Sequence, residues 1–179
     1  MSASLCNYGC GTLSQHQQVQ CGDYILGGIP SIAILECDNA ITDFSNASQW
    51  TTAINTGRAR IIKGIAAEIA DPSPVEGESA VACGPENETY TFDWVLSYMD
   101  HNSNAQNDLF YDGLKTRRFE IAYYSCDDDT VRVVDAICNV TNASLVKPKR
   151  QGGREHYSVS IKWRSLNNPR RFAAPAGIF

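Results

Sequence analysis

The stretch Glu88-Thr-Tyr-Thr-Phe-Asp-Trp-Val-Leu-Ser-Tyr98, with its continuation to Phe119, decides the fold. Tyr90, Phe92, Trp94, Leu96 and Tyr98 fall on even positions, with Thr89, Thr91, Asp93 and Ser97 between them. A period of two places the large apolar groups on one face of a strand and the polar groups on the other. Five such groups on one face need a core, which predicts a central strand. Asp100-His-Asn-Ser-Asn104 then reads as a turn supplying an N-cap. Ala105 to Lys115 has helical spacing, with Ala105, Leu109 and Leu114 on one face. Arg118 to Tyr123 alternates again, Phe119, Ile121 and Tyr123 lying in phase. The hydrophobic period switches from two to 3.6 and back, as in a compact β-α-β unit.

Working outward, Ile32-Ala-Ile-Leu35 is a short apolar run suited to a strand. Phe44 to Thr56 reads as a helix capped by Ser45 or Asn46 and closed by Gly57, with Phe44, Ala47, Trp50 and Ile54 near one face. Arg58 to Ile69 is a long strand with Ala59, Ile61, Ile65, Ala67 and Ile69 in phase, broken only at Lys63. Asp71 to Ser79 and Cys83 to Asn87 are polar breakers around a short strand, Ala80 to Cys83. Cys126 to Thr130 is a hairpin turn, with Val131 to Cys138 as its return strand and a bulge at Val134-Asp135. Asn139 to Val146 reads as a turn and a short strand. Glu155 to Arg164 alternates most cleanly, Tyr157, Val159, Ile161 and Trp163 facing one way and a cationic polar set the other.

The expected fold is mainly β (α+β): an antiparallel β-barrel or sandwich with one or two short helices and extended arms. Residues 1–28 form a Cys-rich N-terminal arm, 29–165 the core domain and 166–179 a C-terminal arm. Phe92, Trp94, Phe119, Ile121, Val159, Ile161 and Trp163 are expected to be buried together.

Composition narrows the function classes. The chain has 179 residues, enough for one domain with a sizeable core. No apolar run approaches the roughly 20 residues of a membrane helix. The first cation is Arg58, so no basic flank of a signal peptide is present and the protein is expected to be intracellular when made. The seven cysteines are an odd count, which argues against a disulfide framework. Cys6, Cys10 and Cys21, with His16 nearby, lack paired CxxC knuckles, so no metal is expected there. The Asn-x-Ser/Thr triplets at Asn46, Asn87, Asn139 and Asn142 read as turn and cap chemistry.

Catalytic signatures are absent from the sequence: no GxSxG, no phosphate-binding glycine loop, no HExxH. The three histidines, 16, 101 and 156, lie far apart along the chain. The reading is non-enzymatic, with no cofactor and no catalytic or metal-binding residue. Charge is the informative feature. Residues 1–146 carry 7 Lys+Arg against 19 Asp+Glu, whereas 147–179 carry 8 against Glu155 alone. Asp71, Glu76, Glu78 and Glu86 lie in a long acidic loop, and Lys147, Lys149, Arg150, Arg154, Arg170 and Arg171 in a basic C-terminal region that also holds Phe172 and Phe179. The expectation is that these twelve residues meet between subunits, acidic loop against basic end, with Phe172, Ile178 and Phe179 docking on a neighbour. The rival reading is a β module using its basic end on nucleic acid.

The order of elements carries a resemblance. An alternating strand, Asp100-His-Asn-Ser-Asn-Ala-Gln, a short helix, an alternating strand, the Asp127-Asp-Asp turn, a return strand and a last strand after Gly152-Gly153 resemble the core of the tail tube (major tail) proteins of long-tailed bacteriophages. The likeness covers about Arg58 to Arg164, and tail terminators, head-to-tail connectors and type VI secretion tube proteins share a related fold. It implies a structural virion protein assembled in the bacterial cytoplasm, forming hexameric rings that stack into a tube. Its partners would be itself, other tail or connector proteins, and DNA passing non-specifically through the lumen, with no membrane. A terminator, connector or capsid-decorating role is the alternative.

Overall fold

The computed structural model describes residue 15 and residues 28–37, 39–75, 91–126, 129–134, 138–147 and 153–179. In chain order these form β1 (Ile29–Leu35), α1 (Ala47–Asn55), β2 (Ala59–Ile69), β3 (Ser73–Val75), β4 (Thr91–Asp100), α2 (Ala105–Lys115), β5 (Arg118–Ser125), β6 (Thr130–Val133), β7 (Cys138–Val146), β8 (His156–Ser165) and β9 (Arg170–Ala173). The protein is mainly antiparallel β, as the alternation predicts. No helix among the described residues is long and apolar enough to cross a membrane.

β1 is buried along its whole length. Ile32 and Ile34 enter one core, Ala33 and Leu35 another. Both edges of β1 are paired, with β2 from Ile29↔Ala67 to Leu35↔Ala59 and with β5 from Ser31↔Tyr124 to Leu35↔Glu120. A strand with two covered faces reads as a continuous apolar run, which is what this sequence is. Pro30 sits where the register with β2 shifts, a position that tolerates a residue without an amide hydrogen.

The sheet runs β1-β2-β4-β8-β7-β5-β6-β9, with β5 also pairing β1. It curls around the inner core without closing into a regular barrel. The β2–β4 seam runs only from Ala66↔Met99 to Ile69↔Leu96, and the β5–β7 seam is Arg118↔Asn139 and Phe119↔Cys138. The inner core gathers Phe119, Ile121, Leu96, Val159, Ile161 and Trp163, and α2 adds Phe110, Tyr111 and Leu114. The outer core lies over β1, β2, β5 and β6 and takes Trp50 and Ala53 from α1.

β2 serves both cores because its phase flips. Ala59 and Ile61 face outward to the α1 core, while Ile62, Ile65 and Ala67 face the inner one. The flip falls at exposed Lys63-Gly64, where Gly64 has φ +70 and β2 spends extra residues against Ile29 and Ser31. The single break in the sequence pattern, Lys63, thus marks a bulge that a glycine makes cheap.

Several expectations are corrected. In α2 the buried face is Asn107, Phe110, Tyr111 and Leu114, while Leu109 is 69% exposed and Ala105 is exposed. Spacing alone allowed two stripes, and the one with the larger aromatic area was selected. The strand-helix-strand stretch is not a parallel β-α-β unit, since β8 and β7 lie between β4 and β5. The return strand ends at Val133, and Asn139 and Asn142 lie within the nine-residue β7 rather than in a turn. Ser73–Val75, read as part of a breaker, is an edge strand on β4, where Pro74 is tolerated. Trp94 is only partly buried: it stacks on Trp163 at 6.0 Å and leans on the core, and Phe92 is likewise half-buried. The strand predicted at Ala80–Cys83 and most of the N-terminal arm lie outside the described residues.

The C-terminal residues dock in cis. β9 pairs β6 from Thr130↔Ala173 to Val133↔Arg170. Phe172 meets Phe44 at 5.3 Å, and Phe179 meets Trp50 at 5.0 Å and Tyr124 at 6.0 Å. Their apolar surface is thereby covered by their own chain, which short-range periodicity could not reveal.

The α2 assignment predicts an asymmetry. Leu114→Ala should cost about 2–5 kcal/mol as a core truncation. Leu109→Ala should stay within about 0.5 kcal/mol, as an exposed substitution. Urea unfolding of the two variants checks this.

Candidate functional site

β4 and β8 pair from Phe92↔Ser165 to Asp100↔Tyr157 and form the longest wall of the sheet. Its inward residues build the core. Its outward row includes Asp93, Val95, Ser97 and Met99 on β4 against Arg164, Lys162, Ser160 and Ser158 on β8. Arg164 donates to Asp93 through Nε at 2.7 Å and Nη2 at 3.2 Å, a two-pronged pair. That bond holds the Asp93 carboxyl below the usual carboxylate range.

One end of this wall carries a dense polar network. Asp100 is 4% exposed. It accepts from the Tyr111 hydroxyl at 2.7 Å and from the Asn102 amide at 2.9 Å. Asn104 caps α2 by accepting from the Gln106 and Asn107 amides, both at 3.0 Å. Buried Asn107 donates to the Asn102 carbonyl at 2.8 Å. Tyr157 on β8 donates to Asp108 at 2.5 Å, and its ring lies 4.5 Å from that of Tyr111. The Asp/Asn-rich turn therefore latches α2 onto the β4–β8 end. Burial raises the Tyr111 hydroxyl well above its ordinary value, and burial with the Asp108 bond pushes Tyr157 up to about 12.

At the same end His101 and His156 come together, their ring centres 5.4 Å apart. Sequence reading left them unrelated. The signal that joins them is the β4–β8 register, which needs strand pairing to be known. Elsewhere an open groove of about 660 Å³ lies between α1 and the β1 end, lined in part by Glu36, Asn39, Gln49, Thr52 and Arg58. Its carboxylate, guanidinium, amide and hydroxyl groups suit a small polar ligand. The Cys37 thiol donates to the Arg118 carbonyl at 3.5 Å, and Cys126 is exposed. Among the described residues no group of three or more His, Cys, Asp and Glu could hold a metal ion.

The expected interface residues divide by position. Asp71 is exposed just ahead of β3. Val75 pairs with Thr91, so residues 76–90 leave and re-enter at the Thr91 end of the wall, and that segment carries Glu76, Glu78, Glu86 and Glu88 without a base. Val146 pairs with His156 at the opposite, Asp100 end. The link there carries Lys147, Lys149, Arg150 and Arg154 against Glu155. Lys147 and Arg154 are exposed. Glu76, Glu78, Glu86, Lys149 and Arg150 lie outside the described residues. Arg170 and Arg171 are exposed on β9, which pairs β6, whereas Lys147 and Arg154 adjoin β7 and β8. Arg170 lies 5.3 Å over the Phe172 ring.

The tyrosine latch sets a pH prediction. A folded-state tyrosine raised above its unfolded value of about 10 gives stability that is full below pH 10 and falls as the pH rises further. Stability should decline between about pH 10 and 12, and Tyr157→Phe should reduce that slope by about one proton. Tyr111→Phe should also cost about 1–3 kcal/mol at neutral pH, since it strips a buried carboxylate of one of its donors. Denaturant titrations across that pH range measure both effects.

No family model, curated protein or solved structure matches this chain.

Proposed function

We propose that the chain is a structural subunit that assembles head to tail with copies of itself, as rings stacked into a tube like that of a long-tailed phage. The observation that carries the reading is the opposed charge at the two ends of one rigid wall. The wall spans eight residue steps from Phe92 to Asp100, about 27 Å at roughly 3.4 Å per residue. A link with four acids and no base leaves one end, and a link with four bases and one acid leaves the other. A subunit with unlike ends is self-complementary by translation along the wall, the heterologous geometry that gives rings and open stacks.

Each exposed ion pair is worth only about 0–1 kcal/mol. Repetition around a ring sets register and partner choice rather than great affinity. On the outward face of β4 and β8, Arg164 is paired with Asp93, which leaves that row with little net charge for holding DNA phosphates. The place of such a subunit is the virion, with other tail or connector proteins at the stack's ends. A tail terminator, connector or capsid-decorating role is the alternative, and it would differ in whether rings stack.

The test is charge reversal with rescue. Lys147→Glu with Arg154→Glu should abolish rings or tubes in negative-stain images while the circular dichroism spectrum stays native. Adding Glu76→Lys and Glu78→Lys to a second preparation and mixing the two should restore mixed assemblies. Wild-type assembly should slow when salt rises from 0.05 to 0.5 M, since screening lengths shrink from more than 10 Å to a few ångströms (order-of-magnitude values). A wild type that stays monomeric at every concentration, or reversal variants that assemble normally, overturns the proposal.

A further inference from the structure

The chain has three histidines, and two of them meet although 55 positions separate them in sequence. The β4–β8 register explains the meeting. The register ends with Asp100 paired to Tyr157, and continuing it by one step brings the chain to His101 and His156, whose rings lie side by side. Asp100 and Tyr157 point into the core, at 4% and 2% exposure. The next pair therefore lies on the outward face, His101 exposed and His156 half-buried. Both backbones are fixed. The turn after His101 is tied by the Asn102 amide to Asp100, and Tyr157 is anchored through Asp108.

We propose that His101 and His156 form a two-imidazole site for a divalent late first-row transition-metal ion such as zinc, with water in the remaining positions. Two observations support it. The ring centres are 5.4 Å apart and tilted by 55°. A cation about 2.0–2.1 Å from one nitrogen of each ring holds the centres about 5 Å apart, so a few tenths of an ångström of adjustment suffices. His156 Nδ1 lies 3.3 Å from the Arg154 carbonyl oxygen. A carbonyl only accepts, so Nδ1 is the donor in that bond, which leaves Nε2 as the nitrogen whose lone pair a metal ion would take. A ligating histidine oriented by a carbonyl on its other nitrogen is the usual outer-sphere arrangement of metal sites. Imidazole is a favoured ligand for zinc, copper and nickel. The site is independent of the assembly reading and needs no second copy.

The experiment is a zinc titration of the intact protein, with free zinc fixed by a metal buffer so that binding to thiols does not distort the scale. Histidine-selective NMR follows the ring Cε1–H signals. The His101 and His156 signals should shift together along one saturation curve, while His16 lags. His101→Ala should weaken binding at the His156 ring by about tenfold or more, because the second ligand is lost from a preorganised pair. His156→Ala should do the same to His101, and His16→Ala should change neither. His101 is exposed beyond the end of β4, so its replacement tests the pair without touching the core. Failure of the two signals to move, movement of one alone, equal response of His16, or undiminished affinity in His101→Ala overturns the site.

Discussion

Every layer of this protein depends on β1 being covered on all sides. Its two edges are taken by β2 and β5, and its two faces by separate cores. Each fully buried Ile or Leu there contributes about 1.5–3 kcal/mol relative to exposure. The cost of dehydrating the strand's backbone groups is met by ladders on both edges. Remove that strand and the inner core loses its floor while the α1 core loses its roof. The helices are secondary to this. α1 covers one side with Trp50, whose indole donates to the Phe44 carbonyl at 2.8 Å, and α2 fills the other with Phe110, Tyr111 and Leu114.

Most of the strand architecture was legible in the sequence because alternation is a local property. β4 and β8 declare themselves through Phe92 to Tyr98 and Tyr157 to Trp163, and β1 through its unbroken apolar run. The caps were legible too, since Asn46 and Asn104 do in the structure what side-chain chemistry predicts. The choice between Leu109 and the Phe110/Tyr111 stripe was not, because both satisfy a 3.6 period and only the facing sheet decides. The cis docking of Phe172 and Phe179 was hidden for a similar reason. Their partners Phe44 and Trp50 lie more than a hundred residues away in the chain.

The candidate sites show the same division. Opposite charge in two segments is visible in composition, but its meaning changes once the β4–β8 register sends those segments from opposite ends of one wall. Arg170 and Arg171 sit on β9 beside β6, whereas Lys147 and Arg154 adjoin β7 and β8, a difference that composition alone does not show. The histidine pair carried no signal in sequence at all. It exists because one turn and one hairpin happen to fall in register.

The double pairing of β1 also bears on how the chain reaches its native state. β2 follows β1 within about thirty residues, whereas β5 lies roughly ninety residues downstream. During synthesis the β1–β2 pair can form early, but one edge of Ile32-Ala-Ile-Leu35 stays open until β5 leaves the ribosome. An apolar strand with an open edge is a template for pairing with another nascent chain. Closing a loop of that length places the slow, entropically costly step late. The strand that secures the finished molecule is thus its point of greatest exposure to aggregation while it folds.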